Sequence, residues 1–204
     1  MGTIEFQNES IRPGKIVCIG KNYRAHIEEM GSVVPEQMVV FMKPNSAITR
    51  TLRAVAEEPL HYECEICLLI KAGAIYGLGI GLDLTKRKLQ GQLKAAGRPW
   101  ERSKAFDGAA LFSGFIPAPK RLDNLSFELQ VNGEARQRGE TTAMLYPPAL
   151  ILDELQRFLS LDDYDIVMTG TPAGVGPVEH GDRFEAVLRD GDVTLVEAQW
   201  LAQY

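Results

Sequence analysis

Between His61 and Arg87 the chain reads HYECEICLLIKAGAIYGLGIGLDLTKR, two apolar runs joined by a short polar break. Each run has the length and aliphatic content of a buried strand, Tyr62 to Ile70 and Ile75 to Leu82. No other stretch restricts the fold as strongly, because carboxylates are written into it. Side chains alternate along a strand, so Glu63 and Glu65 share a face, about 7 Å apart. Asp83 closes the second run where helix-like sequence begins. Like charges at that spacing repel, and a buried carboxylate without a partner is expensive. A cation therefore belongs between them. Three carboxylates from two neighbouring strands form an all-oxygen set for a hard cation, Mg²⁺ first, with Mn²⁺ or Ca²⁺ by the same chemistry. Glu63 and Glu65 would equally suit the solvated face of an edge strand, and this stretch alone does not separate the two readings.

The 204 residues are enough for one domain, 1–204, with a substantial core, and 45% hydrophobic with 24% charged residues suits a globular chain. A net charge of −5 gives no support for nucleic-acid binding, so an anionic substrate needs a local positive site. No basic segment followed by an apolar run opens the sequence, and no apolar run is long enough to span a membrane. Cys18, Cys64 and Cys67 are too few and too odd for a disulfide framework, which points to a reducing cytoplasm. Cys64 and Cys67 have redox spacing, but within a strand their thiols fall on opposite faces and read as packing residues.

Before the acidic stretch, KIVCIG (15–20) reads as a strand. Residues Asn22–Met30 read as a short helix ending at Gly31, in which His26 and Glu29 share a face at i and i+3. A carboxylate beside an imidazole orients a general base, though an isolated pair of this spacing is more often an exposed surface pair. VVFMKP (39–44) reads as a buried strand with Lys43 reaching out at its end. Residues 49–60 read as surface strand and loop. Gly77, Gly79 and Gly81 are too closely spaced for a dinucleotide fingerprint and suit close backbone approach instead. Residues 84–97 read as a helix with a solvated basic side and Gly97 as its cap, followed by a polar loop (98–108) carrying Lys104. Asn132-Gly133 and Asp190-Gly191 each mark a hairpin. Residues 147–160 read as an amphipathic helix with Leu150, Leu152, Leu155 and Phe158 on one side. DIVMTGTPAGVG (165–176) reads as a buried strand opening into a turn, where backbone N–H groups and the Thr171 hydroxyl could grip a carboxylate. Many short strands, two hairpins and few helices argue for a β-rich α+β domain.

Seven motifs in order, GKNYRAHIEEM (20–30), VVFMKPNSAI (39–48), HYECEI (61–66), GIGLDLTKRKLQ (79–90), KAFDG (104–108), VNGEARQRGET (131–141) and DIVMTGTPAGVG (165–176), resemble the fumarylacetoacetate hydrolase family. The resemblance covers roughly residues 15 to 198 and is nearest the small acylpyruvase and oxaloacetate decarboxylase type. It implies a mixed β-roll or sandwich, usually a homodimer, with Glu63, Glu65 and Asp83 as metal ligands. It further implies catalytic roles for His26, Glu29 and Lys104, and substrate contacts from Gln90 and Lys43. The connection from Lys71 to Ala74 is shorter than the family's usual one. The activity implied is Mg²⁺-dependent C–C hydrolysis of a 3-acylpyruvate to pyruvate and a carboxylate. Decarboxylation or isomerisation of a related 2-oxo diacid is the alternative, and a non-catalytic 2-oxo-acid binding protein a more distant one.

Overall fold

The computed structural model describes residues 2–204. At its centre is a sheet in the order Ala110–Phe112, Ala74–Asp83, Cys64–Lys71, Ile166–Met168, Lys15–Gly20, Val39–Pro44, with Ile116–Pro117 also paired to Ala74–Asp83. Only Ile166–Met168 and Lys15–Gly20 run parallel. A second, antiparallel sheet is built from Leu125–Val131, Glu134–Glu140, Arg183–Asp190 and Val193–Leu201. A smaller one centres on Glu58–Tyr62, which pairs with Val55–Ala56, Thr85–Lys86 and Gly176–Pro177. The helices are short: α1 (Arg24–Glu29), α2 (Arg87–Ala95), α3 (Glu101–Lys104) and α4 (Pro148–Leu155). This is the β-rich α+β architecture that the hairpins and apolar runs imply.

Strand alternation divides the central sheet into two buried faces. Val17, Ile19, Ile66, Leu68 and Ile80 face Phe127, Leu129, Phe184 and Leu188 of the second sheet. Ile16, Cys18, Cys67, Leu69 and Met168 face the other way, against Phe6 and Phe115. Cys64 and Cys67 indeed lie in different packing layers, and all three thiols are free and buried. Gly81 keeps its strand close to the next one: a Cβ there would stand 2.7 Å from the Leu111 carbonyl oxygen. The short Lys71–Ala74 connection is a tight hairpin turn with positive φ at both Ala72 and Gly73, as a type I′ turn requires.

Several elements differ from their sequence reading. The expected Tyr62–Ile70 strand is broken at Glu63, where the chain leaves the small sheet and enters the central one. Residues 49–60 are not merely surface, since Leu52, Ala54 and Leu60 are buried in the main core. The helix expected from residue 84 begins at Arg87, because Thr85–Lys86 pairs with Leu60 and His61. Its end is as expected: Gly97 has φ +61, and Arg98 N–H bonds the Leu93 carbonyl. The 98–108 loop contains the single turn of α3. In α4 the buried stripe is Pro148, Ile151 and Leu155, while Leu150 is exposed, as is Phe158 in the turn beyond its end. A helix advances about 100° per residue, so Leu150 falls on the far side from Leu155. The hairpin near the C-terminus turns one residue later than expected, since Asp190 pairs with Val193 across Gly191 and Asp192.

Candidate metal centre and active site

The break at Glu63 builds the site. The Asp83 N–H donates to the Glu63 carbonyl at 2.8 Å, which sets these two residues side by side, and Glu65 stands opposite Gly81 one step along. One carboxylate oxygen from each of Glu63, Glu65 and Asp83 lies within 4.8 Å of the others, and all three residues are buried. The solvated-edge reading is therefore excluded.

Three cations surround the triad. The Lys104 ammonium donates to Glu63 Oε2 and Asp83 Oδ2, each at 2.8 Å, and to Thr85 Oγ1 at 2.7 Å. Lys43 is fully buried, with its Nζ 2.8 Å from Asp83 Oδ1 and hydrogen-bonded to the Lys104 carbonyl. Its reading as a lysine reaching out to water is thus corrected: the strand end that carries it points inward. Arg87 donates to Glu63 Oε1 and, at 2.9 Å, to Gln90 Oε1. The basic side of α2 is accordingly not all solvated. Burial opposes ionisation of Glu63, but the charges of Lys104 and Arg87 outweigh it and hold its pKa well below the carboxylate range. Glu65 is the opposite case: burial, then the Asp83 and Glu63 charges, push its carboxyl well above that range. Asp83 Oδ1 touches Lys43 as an ion pair yet accepts no well-aligned hydrogen bond. An oxygen-only donor set with one unsatisfied buried oxygen and one carboxyl short of positive charge fits a divalent cation.

Beside Glu63 lies a small cavity of about 40 Å³, bordered by His26, Phe41, Glu63, Gln90, Trp100 and Lys104. His26 is buried, and its Nδ1 lies 3.1 Å from Glu29 Oε2, so the sequence pair is a real contact facing the site. The second oxygen of Glu29 accepts from the Gly174 N–H at 2.9 Å. Helix α1 stops where the sequence indicates: Gly31 has φ +58, and Ser32 N–H bonds the Ile27 carbonyl. Gln90 presents its remaining amide nitrogen from α2, since its oxygen is bound to Arg87. Lys94, one turn further along the same stripe, carries its ammonium 4.5 Å from the Trp100 ring centre. Protein packed around that ammonium, and then the Lys104 charge, push its pKa down to about 8.

The turn after Ile166–Met168 does grip carboxylates, but they are the protein's own. Gly170 N–H donates to Glu65 Oε2 at 2.6 Å, as Gly174 N–H does to Glu29. Thr171 is placed beneath the site rather than in the cavity. Its hydroxyl donates to the Cys64 carbonyl and accepts from Gln137 Nε2, both at 2.8 Å, which leaves no proton for a substrate carboxylate. The role expected of that hydroxyl is corrected to one of support.

Sequence reading passed over Arg87, Gln137 and Asn22. Gln137 Oε1 accepts from the Cys64 N–H at 2.9 Å, clamping the backbone between the two glutamates. Asn22 ties the 169 carbonyl to the Tyr146 peptide. Only Arg87 had a readable signal: Arg87, Gln90 and Lys94 are spaced i, i+3, i+7 and so share one side of α2. Gln137 and Asn22 meet their partners across long sequence separations that no local pattern encodes.

Residues 15–203 match the model for the C-terminal domain of fumarylacetoacetate hydrolase. The chain belongs to the fumarylacetoacetate hydrolase family. Among its relatives is the oxaloacetate tautomerase YcgM of Escherichia coli, 42% identical over 87% of this chain and 89% of that one. Human mitochondrial oxaloacetate tautomerase FAHD1 is 36% identical, over 84% and 85% of the two chains. The crystal structure of fumarylpyruvate hydrolase from Pseudomonas aeruginosa, in complex with Mn²⁺ and pyruvate, superposes with a TM-score of 0.89 at 31% identity, covering 98% of this chain and 95% of that one. No described helix is long and apolar enough to cross a membrane.

Proposed function

We propose that this protein is a divalent-metal-dependent enzyme acting on short 2-oxo acids, and that keto–enol tautomerisation of oxaloacetate is the reaction its site fits best. One observation carries the reading: the His26–Glu29 pair and the acidic triad, through Glu63, meet at one small cavity. Its likeness to oxaloacetate tautomerases supports the choice of reaction. A divalent cation, Mg²⁺ or Mn²⁺, held by Glu63, Glu65 and Asp83 would supply Lewis acidity to the 2-oxo group of a bound acid. His26, with its Nδ1 hydrogen directed at Glu29, presents Nε2 as the base. It takes a proton from C3 of the keto acid and returns one to the oxygen on C2, and the reverse order regenerates the ketone. Glu29, pinned by Gly174, steadies the imidazolium between the two transfers. Gln90 donates to a substrate oxygen as negative charge develops there, while Lys104, whose three N–H groups are held by Glu63, Asp83 and Thr85, contributes its positive charge. Lys43 keeps Asp83 in place.

The same parts support a second reading, hydrolysis of a 3-acylpyruvate. Here His26 deprotonates water, the water oxygen adds to the distal carbonyl, and the C–C bond breaks to release pyruvate as its enolate. Structural likeness to a fumarylpyruvate hydrolase with bound pyruvate favours keeping it. A positioned base contributes about 10²–10⁴-fold to rate. His26→Ala should therefore lower tautomerisation, followed by loss of the enol absorbance, by roughly 10²-fold or more. Oxaloacetate decarboxylation, which needs no base, should fall far less. A variant that tautomerises near the wild-type rate would show that the base is assigned wrongly. A wild type that releases pyruvate from acylpyruvates but does not speed keto–enol interconversion of oxaloacetate would select the second reading.

A further inference from the structure

The far end of the cavity carries charge that the reaction above does not use. Helix α2 directs one stripe at the site, Arg87, Gln90 and Lys94; Arg87 is paired with Glu63 and donates to the Gln90 side-chain oxygen. Lys94 is not paired: among the described residues it forms no ion pair, and its ammonium rests over Trp100. Lys21, from the strand end at Gly20, borders the same cavity and likewise has no carboxylate partner. Lys21 also has φ +57, a left-handed conformation that a residue with a side chain holds only at a cost and that recurs at ligand sites. Two ammonium groups on one small cavity, with Lys104 beyond them, repel one another. The lowered pKa of Lys94 reflects burial together with Lys104, Arg87 and Lys21. Such a grouping is relieved by an anion placed between the two lysines.

We propose that Lys94, aided by Lys21, receives the distal carboxylate of the substrate and makes the site selective for dicarboxylic 2-oxo acids. This rests on the reading above, in which the 2-oxo-carboxylate end of the acid lies at the triad. The two ends of the cavity then divide the work: the acidic end takes the cation and the shared head of every 2-oxo acid, and the basic end tests for a second negative charge. Lys94 is exposed and hydrated when unpaired, so a monocarboxylate with an apolar tail gains nothing from the basic end, whereas a second carboxylate does.

The test compares pyruvate, which has the head alone, with oxaloacetate, which adds one carboxylate. Binding is followed by rapid tryptophan fluorescence titration in saturating Mg²⁺, with Trp100 beside the site as reporter. Wild type should bind oxaloacetate about 10-fold or more tighter than pyruvate, as a charge-assisted hydrogen bond warrants. Lys94→Met keeps the apolar stem over Trp100 and removes the charge. It should lose about 10-fold on oxaloacetate and little on pyruvate, while Lys94→Arg retains most of the preference and Lys21→Met shows a smaller loss of the same sign. Equal loss on both acids, or none on either, would overturn the proposal and leave Lys94 a rim residue stacked on Trp100. A wild type that binds pyruvate without preferring oxaloacetate overturns this inference alone. A wild type that binds neither acid in Mg²⁺ overturns the reading of the head site, and this one with it.

Discussion

Glu65 is the residue on which the metal reading turns, because it is buried with like charges beside it and one backbone N–H as its hydrogen-bond donor. Its folded pKa is raised above the ordinary 4.5. For an acid so shifted the folded state holds the proton more tightly than the unfolded one, so stability declines as pH climbs from the unfolded value to the folded one. Above that window the ionised group is a standing penalty that only a cation removes. Glu65→Gln keeps the shape and the acceptor for Gly170 but removes the charge. The metal-free variant should therefore melt no lower than wild type at pH 8; wild type should rise in Tm on adding Mn²⁺, and the variant should not. Paired melting curves with EDTA and with Mn²⁺ check both arms, and a full Mn²⁺ shift in the variant would remove Glu65 from the ligand set. The carboxylates themselves were legible in the sequence because strand alternation has a fixed period. Lys43 was not, since a lysine ending an apolar strand points outward or inward according to what the neighbouring strands and the 104–107 segment leave open.

At the scale of elements, the site depends on a strand that changes sheets and on a turn that follows another strand. The turn holds Glu65 through Gly170, whose φ of +99 suits only glycine. A Cβ there would come within 2.7 Å of Asn22 Cβ and 2.9 Å of the Ile19 carbonyl oxygen. Gly170→Ala should thus be destabilising by about 2 kcal/mol or more, from backbone strain and overpacking together. It should also weaken Mn²⁺ binding by moving the donor to Glu65. Urea unfolding with a parallel metal titration tests this, and a variant with wild-type midpoint and metal affinity would refute the account of the turn. Hairpins such as Asn132-Gly133 and helix ends such as Gly31 and Gly97 were legible because each is fixed by a few adjacent residues. The break at Glu63 was not. Tyr62 through Ile70 has one continuous strand-like alternation, and which sheet each half joins is decided by partners as distant as Gly176 and Met168.

Across the whole molecule, the order of motifs carried the family and its fold, while the substrate rests on charge balance that only the assembled site reveals. Lys43, Lys104 and Arg87 pair with Glu63 and Asp83, so the charge of these two carboxylates is already met before a metal arrives, while Glu65 has no cation of its own among the described residues. A divalent cation adds two positive charges, and Lys94 and Lys21 border the same cavity with no ion pair among the described residues. A dianion then meets attraction from both ends of the cavity, whereas a monoanion meets it from one. Metal and dicarboxylate should for that reason bind with positive coupling, and linkage makes the effect reciprocal. Free Mn²⁺ can be measured by electron paramagnetic resonance with no acid, with pyruvate and with oxaloacetate, after correcting for metal chelated in solution. Oxaloacetate should tighten Mn²⁺ binding by about 10-fold, within the usual range of such couplings, and pyruvate by less. Because this readout follows the metal rather than turnover, it is independent of whether His26 moves a proton. Mn²⁺ affinity unmoved by saturating oxaloacetate would mean that the acid does not share the triad's cavity, and the charge argument for a dicarboxylate would fall.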